Sequence, residues 1–202
     1  MKTLFKGFTL LPILAVLSAC GAFGGASSGP GKSDVIAKRA DGTTLKLPSV
    51  IFQERTSDPG PKKYALALTD YDACDWAAHH NPSLLPVNNN FLGLYLLNEE
   101  NNVLQAPGLG TYLIGTPGTN GNYIDSKVSG FGTIVSCKGT YPGLVSGTVT
   151  ITDVAPGQVA GTLKVVLGDG TTISGPFSSV KCTGGSLAAP PSVDPAACTD
   201  LK

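Results

Sequence analysis

From Val159 to Leu167 apolar positions recur every second residue: Val159, Gly161, Leu163, Val165 and Leu167 share one face, and Ala160, Thr162, Lys164 and Val166 the other. That period is the signature of a strand with one side on a core. The strand is flanked by two more. Gly147 to Thr152 leads into it through Pro156-Gly157, and Thr171 to Lys181 follows through Gly168-Asp169-Gly170, giving an antiparallel meander. Further upstream, Val35 to Arg39 and Thr43 to Leu47 flank Asp41-Gly42, which fits a two-residue hairpin turn. Val50 to Gln53 and Tyr64 to Thr69 are separated by Asp58-Pro59-Gly60-Pro61, and Tyr64, Leu66 and Leu68 fall on one face of the second. Phe91 to Leu97, Thr111 to Gly115, Asn122 to Val128 and Thr133 to Cys137 complete the strand signals.

One short helix is expected near residues 72–80, with Asp70 or Asp72 capping its amide end and Asn81-Pro82 stopping it. The fold class is therefore mainly β: an antiparallel sandwich or a partly closed barrel with one short helix. Pattern alone does not separate the two. Interrupted alternation and long loops argue against an outer-membrane barrel. Asn88-Asn89-Asn90 and Asn98-Glu99-Glu100-Asn101-Asn102 read as solvated turns around a strand. The three-strand meander is not echoed in the first half.

The N-terminus has a different pattern. Lys2 and Lys6 precede an apolar run from Phe8 to Leu17, the layout of an export signal. The run is about half of the ~20 residues a spanning helix requires, and Pro12 weakens a helix there. An ordinary secretory signal is the main rival, cut after Ala19 or Ala22. The four residues Leu17-Ser18-Ala19-Cys20 resemble the bacterial lipobox. That resemblance implies cleavage before Cys20, a diacylglycerol on its thiol and an acyl group on its new amine. Gly21 stands where the retention pattern of inner-membrane lipoproteins has Asp, so the resemblance implies transfer to the outer membrane. Three acyl chains make such an anchor lasting, whereas one binds only marginally.

These readings divide the chain into a signal peptide (1–19), a lipidated cysteine with a Gly/Ser-rich tether (20–33), one β-rich domain (34–182) and a Pro-rich tail (183–202). The thirteen tether residues after Cys20 have an r.m.s. reach of ~20 Å. The tail has few apolar residues and no strand pattern, so it needs a covalent tie to be held.

Charge excludes one class of partner. The 14 basic residues balance 14 acidic ones without a basic run, whereas nucleic acid demands clustered Lys and Arg. Four cysteines remain beside Cys20: Cys74, Cys137, Cys182 and Cys198. An even number in an exported chain reads as two disulfides, and no Cys-x-x-Cys pair favours zinc. Three pairings are possible. Cys74–Cys182 with Cys137–Cys198 is favoured, because Cys182 ends the last strand and Cys198 lies in the tail.

The order of a strand, Asp70-Tyr71-Asp72-Ala73-Cys74 at a helix start, a Ser-Gly-Thr-Val-rich meander, then Gly175-Pro176-Phe177 and Cys182 resembles uncharacterised β-rich lipoproteins of Gram-negative outer membranes. The likeness covers roughly residues 64–182. It supports Cys74 pairing with Cys182 and implies no activity.

The densest polar cluster is Asp70, Asp72, Asp75, His79 and His80. These are weak candidates for a Zn²⁺ or Ca²⁺ site, with Asp75 and His79 one helical turn apart. Cys74 occupies the position of a calcium-loop ligand, and helix capping explains the Asp residues as well. No metal or other cofactor is therefore assigned. A catalytic triad would have to recruit His79 or His80 through the fold, and a glycosidase pair would have to come from Glu54, Glu99, Glu100 or an Asp. Trp76, Tyr95, Tyr112, Tyr123 and Tyr141 are candidates for a sugar-stacking face. No catalytic residue is assigned. The expectation is a non-catalytic lipoprotein that contacts the membrane through its lipid anchor and binds an envelope protein or polysaccharide. A metal-dependent hydrolase at His79 and a carbohydrate-binding module are the alternatives.

Overall fold

The computed structural model describes residues 31–56, 62–74, 84–85, 89–101, 103–116, 120–126, 129–135, 138–140, 142–182 and 192–193. Its strands are β1 (Gly31–Lys38), β2 (Thr44–Thr56), β3 (Lys62–Thr69), β4 (Leu84–Leu85), β5 (Asn90–Glu100), β6 (Val103–Gln105) and β7 (Gly110–Gly115). They continue with β8 (Gly121–Asp125), β9 (Gly130–Val135), β10 (Lys138–Thr140), β11 (Leu144–Ala155), β12 (Gln158–Leu167), β13 (Thr172–Lys181) and β14 (Ser192–Val193). The chain is mainly β, as its alternation predicts. Among the described residues no helix is long and apolar enough to cross a membrane.

Twelve strands form one sheet that curls back on itself. Its path runs β5-β3-β2-β1-β13-β12-β11-β7-β8, and β8 then pairs with β5 again, Leu96 opposite Ile124 and Leu97 opposite Tyr123. The result is a partly closed barrel, irregular because β9 and β10 continue outward from β5 and because β2 also touches β13 in parallel. The nine strands of this circuit cannot all be antiparallel, since direction must match after one full turn and nine is odd. One parallel contact is required, and β7 with β8 supplies it.

β5 is the strand on which the circuit turns. One edge carries β3 (Phe91 to Leu96), and the other carries β9 (Asn90 to Gly93) and then β8 (Leu96 to Glu99). Between these last two, the Tyr95 amide donates to the buried Ser129 Oγ at 3.0 Å. Leu92, Leu94 and Leu96 point into the main core, while Phe91 on one side and Tyr95 with Leu97 on another join smaller clusters outside the ring. Burial on both faces explains why this segment is a continuous apolar run instead of an alternating one. Each such side chain contributes roughly 1.5–3 kcal/mol on burial.

β12 keeps the alternation read from the sequence: Val159, Leu163, Val165 and Leu167 are buried and Thr162 and Lys164 exposed. The inside is filled by side chains including Phe52, Tyr64, Tyr112, Phe131 and Phe177. Tyr112 satisfies its buried hydroxyl on one residue, donating to the Gly108 carbonyl and accepting from the Gly108 amide, both at 2.8 Å.

Several boundaries differ from expectation. The strand β1 starts at Gly31, so residues 31–33 belong to the sheet and not to the tether. Thr43 to Leu47 and Val50 to Gln53 are not two strands: Thr44 to Gln53 lies within the single strand β2, which passes through Pro48. Pro48 is tolerated because the register with β1 shifts between Lys32 and Val35, where its missing N–H has no ladder to complete. The β1–β2 turn is longer than two residues: Gly42 N–H donates to Arg39 C=O and Arg39 N–H to Thr43 C=O, with Gly42 at φ 87°. That is a type I turn closed by a left-handed glycine. The tail is not free of strand: Ser192–Val193 pairs in parallel with Leu84–Leu85.

Of the expected helix, Ala73 and Cys74 are helical and the remainder lies outside the described residues. Asp72 caps this start, its Oδ1 accepting from the Cys74 amide at 3.0 Å. Cys74 and Cys182 form a disulfide, with Cα atoms 5.6 Å apart and a sequence separation of 108. It closes an external cluster of Ile51, Ala67, Ala73 and Phe91. The Cys137–Cys198 pairing lies outside the described residues. In the chain-entropy model a loop as long as that between Cys74 and Cys182 is worth ~4–5 kcal/mol. The variant Cys74→Ser/Cys182→Ser should therefore lose several kcal/mol in urea unfolding, and amide exchange at Val193 should rise to that of an unpaired segment. An unchanged midpoint would show that the sheet alone sets the stability.

Candidate functional site

The same turn is built twice, from Ala40-Asp41-Gly42-Thr43-Thr44 and Gly168-Asp169-Gly170-Thr171-Thr172. In each, the aspartate Oδ1 accepts from the threonine amide two residues on, at 2.8 Å for Asp41 and 2.9 Å for Asp169. In each, a glycine takes a left-handed conformation, φ 87° at Gly42 and 82° at Gly170. The amides of Arg39 and Leu167 bond to the carbonyls of Thr43 and Thr171 in the same way. Because β1 pairs with β13, the two tips lie side by side, and a Cβ on Gly170 would sit 3.7 Å from that of Ala40. The repeated Asp-Gly-Thr-Thr is legible in the sequence once the two turns are laid over each other.

Between the tips lies an open cleft of about 260 Å³, with Arg39, Asp41, Asp169 and Thr171 on its walls and Phe131 and Pro142 completing it. The amide of Thr43 holds the Asp41 carboxyl below the ordinary carboxylate range. The rim is thus charged, while the ring of Phe131 is almost wholly buried in the core, and the cleft suits polar contact.

Arg39 ties this cleft to a second cluster. Its Nη2 donates to Asn90 Oδ1 at 3.3 Å. Asn90 in turn donates from Nδ2 to Asp70 Oδ2 at 2.6 Å, while its amide and Asn89 Nδ2 donate to Asp70 Oδ1 at 2.9 and 3.0 Å. Asp70 therefore fastens the start of β5 to the end of β3. Asn90, expected in a solvated turn, is buried in β5. So is Glu99, whose carboxylate accepts from the Tyr123 hydroxyl at 3.1 Å. Burial first, and this carboxylate second, push the Tyr123 phenol up to about 12.

The sequence candidates separate accordingly. Asp70 and Asp72 are taken up by backbone and amide contacts, and Asp75, His79 and His80 lie outside the described residues. Among the described residues no three His, Cys, Asp or Glu side chains converge on one point. Of the carboxylates considered for glycoside chemistry, Glu54 lies 3.7 Å from Lys181, Glu99 is under Tyr123 and Glu100 is exposed at the end of β5. Tyr95, Tyr112 and Tyr123 are buried, so they form no sugar-stacking face; Trp76 and Tyr141 lie outside the described residues. Tyr112 fills the circuit, while Tyr95 and Tyr123 are buried in a cluster packed against its outside.

No protein-family model, curated protein or solved structure matches the chain.

Two stability outcomes test the polar junctions. Asp70→Ala leaves three donors without their acceptor and should cost about 2–3 kcal/mol in thermal or urea unfolding. Asp72→Ala removes one cap and should cost about 1 kcal/mol. Equal small losses would mean that Asp70 does not fasten β3 to β5.

Alkaline pH tests the buried phenols. Tyr64, Tyr112 and Tyr123 all have pKa values raised, burial being the first cause in each. A raised folded-state value means that their stabilisation is complete below the unfolded value of 10.0 and is lost as pH rises above it, for Tyr123 as pH climbs toward about 12. Tyrosinate absorbance should therefore appear together with loss of β circular dichroism between those values. Smooth titration of all tyrosines near pH 10 with the fold intact would contradict this burial.

Proposed function

We propose that the chain is an outer-membrane lipoprotein, anchored through lipidated Cys20, whose β domain works by surface contact and not by catalysis. The observation that carries this reading is the Cys74–Cys182 disulfide, which joins the segment after β3 to the end of β13. Disulfides persist in oxidising compartments and are rare in the reducing cytosol. This agrees with the export layout of Lys2, Lys6 and the apolar run ending in Leu17-Ser18-Ala19-Cys20. The chemistry of the domain supports a role in contact. The carboxylates of Asp41, Asp70, Asp72 and Asp169 each accept a backbone amide that shapes a turn or a junction. The side chains that fill the circuit are apolar or aromatic, so its interior offers no polar site.

The anchor is tested by mass spectrometry of the protein purified from membranes. The N-terminal peptide should begin at Cys20 and carry diacylglycerol and an amide-linked acyl chain. Cys20→Ser should remove the lipid, so that a high-salt wash releases the protein from the membrane to the soluble fraction. A mature chain that starts at Gly21 or later with a free amine would refute the reading.

A further inference from the structure

We infer that the outer face of the sheet around β1 is a docking surface for anionic lipid headgroups, so that the domain lies against the membrane that holds it. The inference rests on the lipid-anchor reading for its geometry and on the lysines for its chemistry.

Five lysine side chains are described within the sheet, Lys32, Lys38, Lys46, Lys164 and Lys181, and all are exposed. Four of them occupy outward positions on adjacent strands. Ile36 on β1 lies opposite Lys46 of β2 on one side and Ser174 of β13 on the other, and Ser174 lies opposite Lys164 of β12. Lys38 is two residues along from Ile36 on the same face, and Lys32 lies toward the start of β1. Lys38 and Lys46 thus flank Ile36, which is 40% exposed, with Lys164 two strands away and Lys32 four residues back along β1, beyond the exposed Asp34. Among the described residues none of these four makes an ion pair, whereas Lys181 lies 3.7 Å from Glu54.

One acid, Asp34, is exposed on this face between Lys32 and Ile36, and Glu54 on β2 lies beside Lys181, while the other acids of the strands lie off the face. Asp41 and Asp169 are held at the hairpin tips beside the cleft. Asp153 is on β11, beyond β12, and Glu99, Glu100 and Asp125 lie on β5 and β8, across the circuit. Among the described residues this face therefore carries four lysines against one aspartate. Like charges so close together repel unless a counter-charge joins them, and an anionic leaflet supplies one. Each lysine near such a surface strengthens partitioning by roughly fivefold. The serine and threonine positions between them, Thr44, Thr172 and Ser174, offer hydroxyls to phosphate oxygens.

Position selects a membrane over a soluble polyanion. The tether enters the domain at Gly31, the first residue of β1, next to Lys32. The ten residues between Cys20 and Gly31 are Gly/Ser-rich, a composition and length that correspond to an r.m.s. reach of only ~16–19 Å. A lipid at Cys20 therefore keeps the start of β1, with Lys32, within about two Debye lengths of headgroups at physiological salt, ~8 Å each. A domain lying flat on the leaflet brings Lys38 and Lys46, roughly 20 Å further along the strand, to the same surface. The anchor raises local concentration, and the lysines fix which side of the domain faces the bilayer.

The test is amine labelling read by mass spectrometry, with the lipidated mature protein in vesicles of phosphatidylcholine alone or with about one-third phosphatidylglycerol. Labelling of Lys32, Lys38 and Lys46 should fall at least about fivefold on the anionic vesicles, recover in ~1 M salt and leave Lys181 unchanged. Equal labelling on both vesicles would overturn the proposal. In parallel, the unlipidated Cys20→Ser protein should sediment with anionic vesicles, and Lys32→Gln/Lys38→Gln/Lys46→Gln should weaken that partitioning by more than about tenfold with an unchanged unfolding midpoint. Binding of a soluble sulfated polysaccharide without binding to vesicles would also overturn it. If Cys20 proves unacylated while the unlipidated protein still binds anionic vesicles through these lysines, the anchor reading fails and the docking face stands. If Cys20 is acylated but the lysines stay unprotected on anionic vesicles, the docking face fails and the anchor reading stands.

Discussion

Everything in this fold depends on β5 having a neighbour on each edge along its length and apolar contact on both faces. β3 covers one edge, β9 and β8 share the other, and Ser129 fills the interval between them with a single hydroxyl. Without the β8 pairing the sheet would present two open edges instead of a circuit, and exposed edges invite pairing with other chains. Asp70 reinforces the same point from the end of β3, gathering Asn89 and Asn90 at the place where β5 begins. The strand that closes the sheet is therefore also one fastened by polar contacts at its start.

Ring closure also explains which parts of the fold are legible in the sequence. The meander β11-β12-β13 is exposed on one face and buried on the other, so its residues alternate and its turns are short. Its legibility follows from having a single wet side. β5 has none, and its run of leucines with Phe91 and Tyr95 fixes a strand without telling which neighbours cover it. The difference between sandwich and curled sheet lies in pairs such as Leu96 with Ile124, far apart in sequence, and no local period encodes them. The short strands β4, β6, β10 and β14 are two or three residues long, too brief for any periodicity to declare itself.

The polar positions are less legible, for one physical reason. An aspartate beside a glycine or ahead of a helix has the same local sequence whether it binds an ion, caps a turn or joins two strands. Asp70 reads as a ligand or cap by its neighbours Asp72 and Asp75; its partners are Asn89 and Asn90, at sequence separations of 19 and 20. Glu99 sits among Asn98, Glu100 and Asn101, which looks like a solvated loop, yet Tyr123 reaches it from β8 inside the protein. The cleft between the hairpin tips arises from the adjacency of β1 and β13, whereas each tip separately is only a turn. In contrast, the pairing of Cys74 with Cys182 is legible because the chain has only five cysteines and so few partners for each.

The disulfide has a consequence that its stabilising role does not convey. Leu84 is ten residues beyond Cys74, Ser192 is ten beyond Cys182, and those two residues are paired in parallel. Two arms of equal contour length leave one covalent junction and meet again in register. A pair of two-residue strands has no independent stability in water, so what brings them together is the effective concentration that the shared junction imposes on the arms. The cross-link thus acts on the chain beyond it by giving both segments a common origin.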